Sequence, residues 1–220
     1  MYIKVTLYVL AIWLTANINA ISVTVYYEAL CFDSVNFITR QLYPNYPLFK
    51  DHVTIDFVPY GKAIHNFNTT TGKYTFKCQH GKEECMGNKF QACGLAQIDK
   101  KDVQMEFVTC VMSTSNPSNV YFIEQCANKY KMDFKKIVTC ASSKEGDELL
   151  ASNGEKTWNL EPNLSYVPTI VYNNSTEINS IETRNSLVDF KNVVCGKLAT
   201  RKPVLCDKTS FFEKIKQFFT

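Results

Sequence analysis

Nine cysteines in 220 residues constrain this chain more than any other feature, because an odd number cannot all pair within one molecule. What precedes them sets their redox environment. Lys4 is followed by an apolar run from Val5 to Leu14 and then by the small-residue end Asn17-Ile18-Asn19-Ala20. The run is too short to span a bilayer. A basic flank, a short apolar core and a small residue at the cut describe a secretory signal peptide over residues 1–20. Exported thiols meet oxidising conditions, so most of the cysteines are expected in disulfides. At least one is then free, paired to another molecule, or reserved for chemistry.

The mature chain from residue 21 is long enough for one well-cored domain. Its formal charge, 24 basic against 21 acidic residues over the full sequence, favours neither nucleic acid nor an anionic membrane as partner. The sequons at Asn68, Asn163, Asn173 and Asn174 agree with export and would mark surface positions if glycosylated. Secretion to the extracellular space is the default expectation, with an acidic organelle, the lysosome, as the alternative.

Periodicity orders the chain. Ile21 to Leu30 is rich in β-branched and aromatic residues and reads as the strand that begins the mature fold. Cys31 ends it, and Ser34 to Tyr43 spaces Val35, Ile38 and Leu42 as a helix does before Pro44. Val53 to Val58 is a second strand, and its link to the first through a helix predicts a parallel βαβ unit. Residues 62–93 show no sustained period and read as a Cys-rich insertion stapled by disulfides. Helices are expected at Asp102–Met112, Val120–Tyr130 and Asp147–Ser152, a helical insertion over about residues 102–152. Tyr166–Tyr172 is a strand entered through Pro168, and Leu187–Leu198 a closing helix. The domain thus covers residues 21–206. The tail, 207–220, sets aromatic residues from Phe211 to Phe219 against a charged face. It fits a final helix packed on the domain, or a contact with a membrane surface or partner.

The chemistry-bearing motif is Cys31-Phe32-Asp33-Ser34 at a strand-to-helix junction. Unpaired N–H groups and the positive dipole end at such a junction favour a thiolate over a thiol. A second cysteine three positions on would make a redox pair, but that position holds Ser34. A lone thiolate can attack a disulfide and form a mixed disulfide, whose release then needs another thiol. The motif alone leaves open that Cys31 is an ordinary surface, buried or disulfide-bonded cysteine. Pro168 fits the loop that places a cis-proline against an active cysteine, and equally a trans-proline opening an edge strand.

Cys78, Cys85, Cys93 and His80 lie within one short stretch and raise the question of zinc. Disulfides win in an oxidising compartment, and the spacing lacks the knuckles of common zinc modules, so no metal is expected. If Cys31 is unpaired, the other eight cysteines allow 105 connectivities. Cys195 and Cys206 are the readiest local pair, worth roughly 3 kcal/mol in the chain-entropy model.

That same stretch, Cys78-Gln79-His80-Gly81-x2-Glu84-Cys85-x2-Asn88-x4-Cys93, matches in full the signature of the gamma-interferon-inducible lysosomal thiol reductase family, which the chain resembles over nearly its whole mature length. The resemblance implies an α/β, thioredoxin-like fold with a helical insertion and an ancestral reduction of protein disulfides at acidic pH. It implies that Cys31 is the nucleophile, that Ser34 replaces the resolving cysteine, that Pro168 faces the site, and that Cys78, Cys85 and Cys93 are structural. No cofactor is expected beyond an external thiol such as glutathione or cysteine. Two functions remain open: a monothiol oxidoreductase acting on disulfide-containing proteins, or a secreted binding protein that keeps the fold without turnover.

Overall fold

The computed structural model describes residues 20–198 together with Pro203 and Cys206. The signal peptide and the amphipathic tail lie outside the described residues, apart from Ala20. β1 (Ile21–Tyr27) and β2 (Val53–Pro59) pair in parallel, with Ile21 opposite Val53. β-Branched and aromatic residues suit a pleated strand buried on both sides, and only Ser22 of β1 is not fully buried.

Between them runs one continuous helical column: α1 (Phe32–Asn36), a π-helical stretch (Phe37–Leu42) and α2 (Tyr43–Phe49). The expected stop before Pro44 does not occur. The Tyr43 N–H bonds to the Ile38 carbonyl five residues back, so the turn widens and Pro44 falls in the first turn of α2. A proline's missing N–H costs little there.

β3 (Ile64–Asn68) and β4 (Lys73–Lys77) form a separate hairpin, and α3 (Lys82–Leu95) follows. Residues 62–93, where the sequence shows no sustained period, thus hold a regular hairpin and a helix, with disulfides at Cys78, Cys85 and Cys93. The hairpin turn is ordered by Asn68, whose Oδ1 accepts the N–H groups of Thr70 and Thr71 at 2.9 Å each. Helix α3 hid because its buried face carries Glu84, Gly87, Asn88 and Gln91, correctly spaced but not apolar.

Helices α4 (Lys101–Met112), α5 (Val120–Lys129), α6 (Phe134–Ala141) and α7 (Lys144–Trp158) complete the middle of the chain. Cys93–Cys140 ties α3 to α6 and Cys110–Cys126 ties α4 to α5; Cys78–Cys85 closes the entry to α3, and Cys195 is bonded to Cys206. β5 (Thr169–Tyr172) then pairs antiparallel to β1, giving the sheet order β2-β1-β5. The last helix, α8 (Ser180–Leu198), starts seven residues before the expected Leu187 and bends at Asp189.

Strand alternation divides the core. Val23, Val25, Tyr27, Ile55 and Phe57 pack with Phe37, Phe49, Phe107 and Phe190, while Tyr26, Val58 and Val171 pack with Leu160. Each fully buried aromatic or aliphatic side chain contributes about 1.5–3 kcal/mol relative to exposure. β1 is the central strand of this sheet, so the turn that follows it leaves from a buried element.

Candidate functional site

The chain leaves β1 through Glu28, Ala29 and Leu30, and Cys31 takes the N-cap position of α1 in extended backbone geometry. Its carbonyl accepts the Val35 N–H at 3.0 Å, and its own N–H donates to the Glu28 carbonyl at 3.3 Å. With the other eight cysteines in four disulfides, Cys31 is the free thiol, and it is half-buried. Its Sγ donates to the Val167 carbonyl at 3.7 Å, and the Val167–Pro168 peptide bond is cis. Pro168 is buried, whereas Phe32, directly after the cysteine, is 71% exposed.

Ser34 is the third residue of the same helix and is fully buried. Its Oγ accepts the Glu28 N–H at 3.4 Å, so the hydroxyl is engaged by the turn beneath Cys31. Cys31, Ser34 and Pro168, separated in sequence, thus surround one turn.

Tyr166 was not singled out from the sequence, although its place two residues before Pro168 is a usable signal. Its hydroxyl donates to Asp33 Oδ2 at 3.4 Å. Partial burial, then the charges on Asp33 and Cys31, push its phenol above the usual tyrosine range. The same ring borders a cleft of about 520 Å³ in which Pro162, Ile178 and Leu187 stand among the polar side chains of Asn163, Thr183 and Arg184.

The signature residues stand behind the turn. Gly81 precedes α3 with a φ of 86°, a conformation that glycine adopts without strain. The His80 N–H donates to Glu84 Oε1 at 2.9 Å, and His80 Nδ1 lies 2.5 Å from Glu84 Oε2. Glu28, missed in the sequence because it looks like an ordinary strand-end acid, is fully buried beside them; its Oε1 accepts the Lys62 N–H at 2.7 Å. Burial raises the Glu28 carboxyl above the usual carboxylate range, the Lys62 N–H opposes this, and Glu84 reinforces it.

One turn along α3, Asn88 Oδ1 accepts the Ala29 N–H at 2.9 Å, and Gln91 Oε1 accepts the Tyr27 hydroxyl at 2.8 Å. Gly87 faces Ala29 so closely that a Cβ there would lie 2.9 Å from the Ala29 Cβ. Asn88 and Gln91 therefore hold the segment Tyr27–Ala29 from behind, and Gly87 leaves room for the close approach. Gln79 is exposed on the surface, and Cys78, Cys85 and Cys93 serve as disulfide anchors. The other histidines lie elsewhere: His65 bonds the Tyr60 hydroxyl at 2.8 Å and stacks on Trp158, and His52 is half-buried at the start of β2. Asn68, Asn163, Asn173 and Asn174 are all exposed.

A family described as "Gamma interferon inducible lysosomal thiol reductase (GILT)" matches residues 22–130. "GILT-like protein 1" of Drosophila melanogaster is 35% identical over 201 residues, covering 86% of this chain and 79% of its own length. "Gamma-interferon-inducible lysosomal thiol reductase-like protein" of Anopheles gambiae is 33% identical, covering 86% of this chain and 80% of its own. Among solved structures, a DsbA of Chlamydia trachomatis superposes with a TM-score of 0.58 at 14% identity, covering 83% of this chain and 89% of that one. That likeness makes the fold thioredoxin-like, with additional helices and several disulfides. The chain belongs to the gamma-interferon-inducible lysosomal thiol reductase family.

Proposed function

We propose that this protein is a thiol-disulfide oxidoreductase that acts on protein disulfides through Cys31 alone. The observation that carries the reading is a free cysteine at a helix start, its sulfur 3.7 Å from the Val167 carbonyl beside cis-Pro168. In the first step the Cys31 thiolate attacks one sulfur of a substrate disulfide. The substrate S–S bond breaks, a bond to Cys31 Sγ forms, and the departing sulfur leaves as a thiolate that takes a proton.

Ser34 stands at the position of the family's resolving thiol and offers a hydroxyl that is engaged by Glu28. Resolution then comes from outside. An external thiolate, glutathione or cysteine, displaces the second substrate sulfur from Cys31, and a second one regenerates the free thiol. In sum two external thiols are oxidised to one disulfide while the substrate disulfide becomes two thiols. The cleft beside Tyr166, with both apolar and polar lining, receives the substrate segment next to the attacked sulfur.

Reduction of insulin, followed with excess cysteine at acidic and neutral pH, tests this. Cys31→Ala is expected to abolish the turnover, and unchanged activity in that variant rejects the proposal.

Ser34 also motivates a second reading, a secreted binding protein that holds a partner without turnover. Ser34→Cys is expected to raise reductase turnover by orders of magnitude if only the missing thiol limits the cycle. No gain in a folded Ser34→Cys protein, together with a stable Cys31 mixed disulfide in the wild type, favours the binding role. Export, with secretion as default and a lysosomal destination as alternative, and glycosylation at the exposed sequons belong to the same proposal.

A further inference from the structure

Thiol exchange at Cys31 makes no use of the cluster Glu28, His80 and Glu84. Both carboxylates are fully buried, and each has one oxygen anchored by a backbone N–H: Glu28 Oε1 by Lys62 at 2.7 Å and Glu84 Oε1 by His80 at 2.9 Å. The remaining oxygens both face one atom. His80 Nδ1 lies 3.5 Å from Glu28 Oε2 and 2.5 Å from Glu84 Oε2. Glu28 Oε2 is buried without a hydrogen-bond partner among the described residues. A buried carboxylate oxygen in that condition is costly unless it is paired or ligates a cation.

We propose that Glu28 Oε2, Glu84 Oε2 and His80 Nδ1 form a binding site for a divalent transition-metal cation of the zinc class. The three donor atoms all lie within 4.8 Å of one another. Donors bound at about 2.0–2.2 Å around a tetrahedral ion stand about 3.3–3.6 Å apart. The His80–Glu28 separation already has that value, and the His80–Glu84 contact opens by about 1 Å as the cation replaces the shared proton, which leaves to solvent.

Two carboxylate oxygens and one imidazole nitrogen suit zinc and its neighbours. Calcium takes six to eight oxygens and magnesium a near-ideal octahedron, neither of which this donor set supplies. The imidazole, 39% exposed, is the path of entry, and water completes the fourth position. The Cys78–Cys85 disulfide and the positive-φ Gly81 hold the loop that carries His80 beside the two carboxylates. No thiol takes part, so this site differs from the cysteine-based zinc module that the sequence spacing argued against. Because the Glu28 carbonyl accepts the Cys31 N–H, the bound cation braces the turn that presents the nucleophile.

The test is a calorimetric titration of untagged, chelator-stripped protein, its disulfides intact, with zinc chloride. Saturable one-to-one binding is expected, unchanged in Cys31→Ser and weakened at least about tenfold in His80→Ala. His80 is partly exposed, so its replacement tests the site even where Glu28→Gln does not fold. Absence of saturable binding to the wild type overturns the proposal, as does wild-type affinity in His80→Ala or loss of binding in Cys31→Ser. Equal affinity for calcium overturns the assignment of the cation class. None of these readouts depends on reductase activity, so the site stands or falls apart from the reaction proposed for Cys31.

Discussion

Asn88 Oδ1 accepts the backbone N–H of Ala29 at 2.9 Å, two residues before the free cysteine. Both residues are fully buried, so the bond is shielded from water. Asn88→Ala leaves the Ala29 N–H unsatisfied and is expected to cost about 1–3 kcal/mol in urea unfolding. The same variant should alkylate at Cys31 at an altered rate while still folded. An unchanged stability and an unchanged rate would remove the positioning role assigned to α3.

Gly87 approaches the turn more closely than any side chain allows. A Cβ on it would lie 2.0 Å from Ser118 Oγ and 2.9 Å from the Ala29 Cβ. Gly87→Ala is therefore expected to destabilise by about 1–3 kcal/mol through overpacking. Ser118 Oγ is itself buried and unpartnered, so Ser118→Ala alone should be close to neutral and should recover part of the loss in the double variant. Thermal melts of the four proteins in this cycle measure it.

The disulfides differ in what they constrain. Cys93–Cys140 spans 47 residues between α3 and α6, whereas Cys78–Cys85 spans 7. Loop-closure entropy gives about 4 kcal/mol for the long bridge and about 2.5 kcal/mol for the short one. Replacing Cys93 and Cys140 together by alanine should lower the unfolding free energy more than replacing Cys78 and Cys85. The reverse order in denaturant unfolding would show that native strain dominates.

Unreduced protein should take up iodoacetamide at a single residue, Cys31, since the other eight cysteines are bonded to one another. Peptide mapping by mass spectrometry reads the result. Labelling at any second cysteine in the folded protein would contradict the pairing.

Acid should weaken the fold through His65. Burial pulls its imidazole below the usual range, with Glu155 opposing. Above the unfolded-chain value of about 6.5 both states hold the ring neutral, and His65 contributes no pH dependence. Below that value the unfolded chain takes up a proton that the folded protein refuses, so stability falls as pH drops toward the lower folded pKa. His65→Gln, which keeps an acceptor for the Tyr60 hydroxyl, should flatten this part of the melting temperature against pH. Parallel curves for the two proteins would refute the assignment.

Much of the architecture was written in local pattern. Ile21–Tyr27 and Val53–Pro59 lie where runs of β-branched, aromatic and apolar residues predict strands, and Lys101–Met112 lies where helical spacing predicts a helix. Where the buried face was not apolar, the pattern was silent. Helix α3 buries Glu84, Gly87, Asn88 and Gln91, whose partners lie about sixty residues earlier in the chain, and periodicity carries no trace of them. The Ser34–Tyr43 helix ran past its expected end because a π turn absorbed Pro44, a choice settled by packing and not by composition.

The sequence by itself determined that the chain is cysteine-rich with an odd number of cysteines, that Cys31 stands between a strand pattern and a helix pattern, and that a signature of eight fixed residues points to one family. Those are properties of type and spacing along a chain. The local Cys195–Cys206 pair was legible in the spacing, but the Cys93–Cys140 bridge, how cis-Pro168 meets Cys31, and that Glu28 joins His80 and Glu84 were decided only by the tertiary structure. Each depends on bringing together residues far apart in sequence, and the free energy that selects among such pairings comes from burial and hydrogen bonding in the assembled core.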